Sequence, residues 1–204
     1  MLIVGLTGSL GMGKTTAAAH LRARGLPVFD ADAEVHRLYA TSAARLIEAA
    51  FPGTTRDGRV DRGKLADALI AEPTRFAELE AIVHPLVRAS ERAFVNDEAA
   101  RGTAIAVLEI PLLFETGADK KVDATIVVSA PAEIQRRRLL LREGLDEEKI
   151  KSLLARQMPD AEKRERADFV VDTGRSVEAS NAELDAIIAE LRGRRRRAYA
   201  LHWA

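Results

Sequence analysis

The chain has 204 residues, room for one α/β domain with a sub-domain, and it carries 31 basic and 31 acidic side chains. That balance leaves no global basic field for nucleic acid, and the lack of cysteine excludes disulfides, thiolate catalysis and cysteine-held zinc or iron–sulfur centres. Aromatic residues make up only 4% of the chain. No apolar run reaches the roughly 18–20 residues that span a bilayer, and no signal peptide opens the sequence, so the expectation is a cytoplasmic protein without membrane or nucleic-acid partners.

Residues 2–6 form an unbroken apolar run, as in a parallel strand buried on both faces. Gly8-Ser9-Leu10-Gly11-Met12-Gly13-Lys14-Thr15 follows and fits the P-loop pattern G-x-x-x-x-G-K-[ST]. Glycines there let the backbone curl around a phosphate with N–H groups pointing inward, and a helix N-terminus adds its positive dipole end. Lys14 suits the outer phosphates as a point charge and the Thr15 hydroxyl suits Mg²⁺, so the loop predicts a nucleoside-triphosphate site. A helix over 16–24 ends near Gly25, and 26–29 reads as a second strand closing in Asp30-Ala31-Asp32, which completes a β–loop–α–β unit.

Between Asp32 and Thr103 no strand is apparent. Helical segments are expected over 33–39, 43–51, 64–71, 73–83 and 86–101, with Asp61 as a cap and Pro73 and Pro85 in first-turn positions. A plain crossover needs far fewer residues, so this stretch reads as a helical insertion after the second strand. Strands are expected at 104–108, 124–128 and 169–171. Between the last two lie a helix over 132–142 bearing Arg136, Arg137, Arg138 and Arg142, then one from Asp146 to Gln157. A long amphipathic helix over 177–197 places Leu184, Ile187, Ile188 and Leu191 on one face. The expected whole is a single P-loop kinase-like domain built on a mostly parallel five-stranded sheet. Its core is 1–31, 103–135 and 159–204, with a helical acceptor-binding insertion at 32–102 and a helical lid at 136–158.

A P-loop does not by itself separate kinases from GTPases and other ATPases. No guanine-reading N-K-x-D occurs, which counts against a GTPase. A small phosphotransferase fits best, with a nucleotide-dependent switch protein as the alternative from another class.

Further residues are more specific. The loop at 8–16, Asp30-Ala31-Asp32, Asp57-Gly58 with Asp61-Arg62, Leu79-Glu80 with His84-Pro85, and Pro111-Leu112-Leu113-Phe114-Glu115 occur in that order. Val122-Asp123, Gln135-x-x-Arg138-x-x-x-Arg142 and Arg156-Gln157 follow. In this series, over residues 1–174, the chain resembles the dephospho-coenzyme A kinase family. The resemblance implies ATP-dependent phosphorylation of the ribose 3′-hydroxyl of dephospho-CoA, the last step of coenzyme A biosynthesis, with Mg²⁺ accompanying ATP. Another small-acceptor kinase, acting on a nucleoside monophosphate or a sugar, is the rival within enzymes. The loop departs from the family at Ser9, Leu10 and Met12, and Glu109 and Thr173 stand where Asp and Asn are more usual.

The site residues divide by role. Gly8, Gly11, Met12, Gly13, Lys14, Thr15 and Thr16 would hold the ATP phosphates, with Thr15 on the metal. The resemblance puts the catalytic carboxylate at Asp32, facing the acceptor hydroxyl, although Asp32 also reads as the N-cap of the 33–39 helix. For Asp30 a structural or metal-side role stands level with a catalytic one. Arg138 and Arg142, spaced i, i+4 on the expected helix, would clamp phosphates from one face, with Arg142 also on the nucleotide. His84, Leu113 and Glu115 are implied to line the dephospho-CoA pocket. Glu109, ending a strand, suits a metal water, and Arg156 suits adenine or a phosphate. The run at 192–197 reads as a solvated helix end, and no feature fixes an oligomeric state.

Overall fold

The computed structural model describes residues 1–204. Five strands form one sheet: β1 (Leu2–Thr7), β2 (Val28–Asp30), β5 (Ile105–Glu109), β6 (Ala124–Ser129) and β7 (Phe169–Asp172), in the order β2-β5-β1-β6-β7. β1 pairs parallel with both β5 and β6, and β7 pairs parallel with β6. The register sets Leu6 opposite Glu109, so the last residue of β5 lies beside the strand that feeds the phosphate loop.

Alternation along these strands builds one core. Leu2, Val4 and Leu6 face the same side as Ile105, Val107, Ile126, Val128 and Val171. α1 (Lys14–Ala23) covers that side with Ala17, Ala18 and Leu21, and α9 (Val177–Leu191) covers it with Leu184, Ile187, Ile188 and Leu191. On the other face Gly5 leaves room for Leu113: a Cβ at Gly5 would stand 2.8 Å from Leu113 Cδ2. Burying such apolar side chains contributes roughly 1.5–3 kcal/mol each, which makes this central stack the main source of stability.

The chain divides into two compact units, Met1–Phe29 with Val95–Ala204, and Asp30–Phe94. The second unit contains α2 (Ala31–Tyr39), α3 (Ser42–Ala50), α4 (Arg62–Ala71) and most of α5 (Phe76–Ala100). It has its own core of Leu38, Ile47, Phe51, Leu65, Leu69 and Val83, closed by the Arg75 guanidinium lying 4.2 Å over the Phe51 ring. Asp61 caps α4 as its spacing predicts, accepting from Lys64 N at 3.1 Å.

Several elements differ from the sequence reading. A small antiparallel hairpin, β3 (Thr55–Arg56) and β4 (Arg59–Val60), lies in the stretch where no strand is apparent. Its turn puts Asp57 at φ 51° and Gly58 at φ 74°, the two positive angles a type I′ turn requires. Pro85 does not start a helix; it sits inside the 25-residue α5, whose long apolar face outweighs one missing N–H. α6 (Ala132–Leu140) stops two residues earlier than expected, so Arg142 lies in the following turn and does not share a helical face with Arg138. α7 (Glu147–Leu154) is capped by Asp146 and is followed by α8 (Asp160–Arg166), a helix the sequence reading left unassigned.

α9 ends at Leu191 instead of reaching residue 197, because the charged run after it offers no apolar face to bury. The tail instead folds back. Asp123 Oδ1 accepts from Arg197 N at 2.7 Å and Ala198 N at 2.8 Å, and the buried Trp203 donates its indole N–H to Lys121 O at 2.8 Å. No helix is long and apolar enough to cross a membrane.

Candidate active site

The phosphate loop leaves β1 and enters α1 through two left-handed glycines, Gly11 at φ 81° and Gly13 at φ 87°. L side chains rarely adopt those angles. Gly8 is needed for a different reason: a Cβ there would stand 2.5 Å from Val128 Cγ2 and 2.6 Å from Val128 O, so the loop could not lie against β6. Gly13 is the N-cap of α1 and offers no side-chain cap, which leaves the first-turn amides of Lys14, Thr15 and Thr16 without intrahelical partners. Amides so placed, at the positive end of a helix, suit an anion. Thr15 and Thr16 are both exposed.

Met12 reaches inward. It is 2% exposed, lies within the central core, and its sulfur accepts from Ala130 N at 3.1 Å. Its bulk is therefore taken up by the central core. Thr173 supports the loop from β7's end: its hydroxyl donates to Met12 O at 2.7 Å, and its own N–H is held by Ser129 O at 2.8 Å.

Arg138 is tied to this frame. Its guanidinium donates to Thr173 O at 2.6 Å and to Gly11 O at 3.4 Å. An arginine engaged in this way buttresses the loop. Arg142, in the turn after α6, is exposed.

Lys14 Nζ stands 3.9 Å from Glu109 Oε1, and Arg22 Nη2 stands 3.6 Å from the other oxygen of the same carboxylate. Glu109 is buried at the end of β5, so its charge sets the potential around the lysine. No cluster of three or more His, Asp or Glu side chains could hold a metal by itself. That donor set fits a Mg²⁺ carried in by phosphates, with one or two protein oxygens completing its shell.

After β5 the chain bends at Pro111. Pro111 O accepts from Thr7 Oγ1 at 3.1 Å and from Lys163 Nζ at 3.1 Å. Lys163 lies on α8 and its side chain is fully buried. Its ammonium also meets Glu115 Oε1 at 2.9 Å, and the same oxygen accepts from Met158 N at 2.8 Å. Burial alone pushes the Glu115 carboxyl up, but the Lys163 ammonium and the Met158 N–H outweigh it and hold it below the ordinary carboxylate value. Leu113 is fully buried, and its side chain packs against Gly5.

Two of the acceptor candidates, Asp32 and His84, belong to the second unit. Asp30 is the N-cap of α2, its Oδ1 accepting from Ala33 N at 2.9 Å. The cap role that Asp32 could have filled is therefore taken, and Asp32 stands exposed in the first turn. His84 is half-buried within α5, one residue before Pro85.

Sequence reasoning missed Lys163 and the support role of Thr173. Lys163 sits in a stretch of alternating charges that resembles any solvated helix, and only the fold shows it turned inward. For Thr173 the one available signal was its departure from the usual residue before Gly174.

Comparisons with known proteins follow the same line. The protein-family profile for dephospho-CoA kinase matches residues 2–178. A dephospho-CoA kinase of Mesorhizobium japonicum is 55% identical over 96% of this chain and 99% of its own length. Among solved structures, a Thermus thermophilus protein aligns with TM-score 0.79 and 39% identity, covering 93% of this chain and 97% of its own. A dephospho-CoA kinase from Campylobacter jejuni aligns with TM-score 0.70 and 26% identity, covering 93% of this chain and 96% of its own.

Proposed function

The chain belongs to the dephospho-CoA kinase family, whose members transfer the γ-phosphoryl group of ATP to the ribose 3′-hydroxyl of dephospho-CoA, and from that premise we propose how its own residues serve this reaction. The reaction needs little covalent chemistry from the protein; it needs positioning and neutralisation of charge. The observation that carries the reading is the loop itself. Its left-handed Gly11 and Gly13 open the amides of the α1 N-terminus at the end of β1, beside Lys14.

In this reading Gly8, Gly11, Met12, Gly13 and Thr16 shape or line the cradle, with Met12 acting through its backbone. Lys14 meets the outer phosphates. The Thr15 hydroxyl is the protein oxygen that would take Mg²⁺, which supplies charge neutralisation between the phosphates when bound. Glu109, already sharing its charge with Lys14, holds that lysine ready when ATP is absent. Arg138 keeps the loop in shape, and the exposed Arg142 is free to reach phosphate oxygens from the following turn.

Asp32 is the carboxylate for the acceptor. A carboxylate is too weak a base to strip an alcohol in the ground state, so its work is to orient the hydroxyl and take the proton late. Its exposed side chain, with the cap role assigned to Asp30, supports that assignment. His84 and the fixed carboxylate of Glu115 are each assigned a part in binding dephospho-CoA, and Leu113 packs the bend between Pro111 and Glu115.

The test is Asp32→Asn, which keeps shape and removes charge. Transfer of labelled γ-phosphate to dephospho-CoA should fall by about two to three decades. Near-normal turnover would remove Asp32 from the mechanism. Thr15→Val, assayed across a Mg²⁺ titration, should raise the Mg²⁺ needed for half-maximal rate; an unchanged titration would assign the metal elsewhere.

A further inference from the structure

A phosphate cradle works only if its carbonyl oxygens point away from the anion while its N–H groups point in, because a carbonyl turned inward repels phosphate. Three consecutive carbonyls of this loop are each held by a side chain from another element. Met12 O accepts from Thr173 Oγ1 at 2.7 Å and Gly11 O from Arg138 Nη1 at 3.4 Å. Leu10 O accepts from Gln135 Nε2 at 2.7 Å. The Leu10 N–H is held as well, donating to Gln157 Oε1 at 2.9 Å. Leu10 is thus clasped on both sides of its α-carbon by two glutamines.

The positions of those glutamines add to the case. Gln135 lies on α6 and is 9% exposed, with Gln135 Cγ, Leu139 Cγ and Leu139 Cδ2 packed where a Gly11 Cβ would otherwise stand. Gln157 follows α7. The two therefore stand at either end of the segment 136–156, which carries Arg138, Arg142 and Arg156. A hydrogen bond to a buried acceptor stabilises modestly, and leaving that acceptor unpaired costs more.

We infer that Gln135 and Gln157 are positioning residues for the phosphate loop, fixing Leu10 from the two ends of the arginine-bearing segment so that this segment and the ATP cradle keep one register. The inference rests on the loop's being the ATP site. Its chemistry is directional: Gln135 must donate, because Leu10 O can only accept, and Gln157 must accept, because Leu10 N–H can only donate.

That polarity provides the test. Steady-state kinetics of Gln135→Glu, Gln135→Leu, Gln157→Glu and Gln157→Leu in the full chain would be read as KM for ATP, KM for dephospho-CoA, kcat and melting temperature. Gln157→Glu, whose carboxylate still accepts, should stay within about twofold of the parent protein, whereas Gln135→Glu should raise the KM for ATP about tenfold and leave that for dephospho-CoA unchanged. Acid should partly rescue Gln135→Glu alone. A buried carboxyl against a carbonyl protonates above its usual range and can then donate. Its KM for ATP, relative to the parent at the same pH, should fall toward normal near pH 5.5, and that of Gln135→Leu should not.

Equal effects of the two Glu variants, or parallel rises in both KM values tracking a fall in melting temperature, would overturn the inference. Lys14→Ala in the same assay separates it from its premise. An unaffected Lys14→Ala overturns the ATP-site assignment and this inference together. A crippled Lys14→Ala beside a normal Gln135→Glu overturns this inference alone.

Discussion

The phosphate loop and the Asp30–Phe94 unit place their chemistry in opposite ways. Around the loop, function lies in the backbone: positive φ at Gly11 and Gly13, a close approach at Gly8, and side chains that serve the main chain. In Asp30–Phe94 the backbone is mostly ordinary helix around a separate apolar core, and the roles we propose there rest on side chains, those of Asp32 and His84. The difference teaches where each part is fragile. The loop fails when geometry fails, so its supporting shell matters as much as Lys14. The helical unit depends instead on its apolar core and on single side chains.

The comparison predicts distinct failures. The largest is Lys14→Ala, which should lose roughly two to four decades of turnover, as when a key electrostatic donor is removed, with melting temperature nearly unchanged. A comparably active Lys14→Ala would mean the backbone alone suffices. Asp32→Asn comes next, at about two to three decades, and should spare the KM for ATP.

Lys163→Met tests the other kind of dependence, that of structure on a buried charge. Removing one member of a buried pair should destabilise by about 3 kcal/mol in denaturant unfolding. It should also change the pH dependence. Glu115 has a folded-state pKa below its unfolded one, so its contribution is present above the unfolded value of about 4.3 and is lost as pH falls through the folded value. Lys163→Met should flatten that acid limb. An unchanged limb would show that Met158 N–H alone holds the carboxylate.

The smallest effect is expected at the neighbour of the acceptor carboxylate. Asp30→Ala removes the cap of α2 and should cost about 1 kcal/mol of stability. Measured beside Asp32→Asn, it separates the two acids: one variant should lose stability and the other turnover. A reversal of those losses would exchange their roles.

The loop and all five sheet strands are legible in the sequence because each signal is local: glycine spacing, a Lys-Thr pair, apolar runs bounded by breakers. The hairpin at Thr55–Val60 is missed because its two-residue strands are too short for any periodicity, although Asp57-Gly58 is a recognised turn signal. The continuity of α5 through Pro85 is decided by tertiary packing of Val83, Leu86 and Val87, which local propensity does not report. The sequence offers Asp32 as a possible cap of the helix expected over 33–39. The helix start at Ala31 decides it in favour of Asp30. Lys163 shows the limit most plainly, since nothing in Glu162-Lys163-Arg164 distinguishes the one side chain that the fold buries.

Calorimetric titration of ATP with Mg²⁺ into the parent protein, Lys14→Ala and Asp32→Asn tests the division of labour most directly. Asp32→Asn should bind ATP as tightly as the parent while failing to transfer phosphate, and Lys14→Ala should bind it far more weakly. Loss of ATP affinity in Asp32→Asn, or undiminished affinity and turnover in Lys14→Ala, would contradict the account.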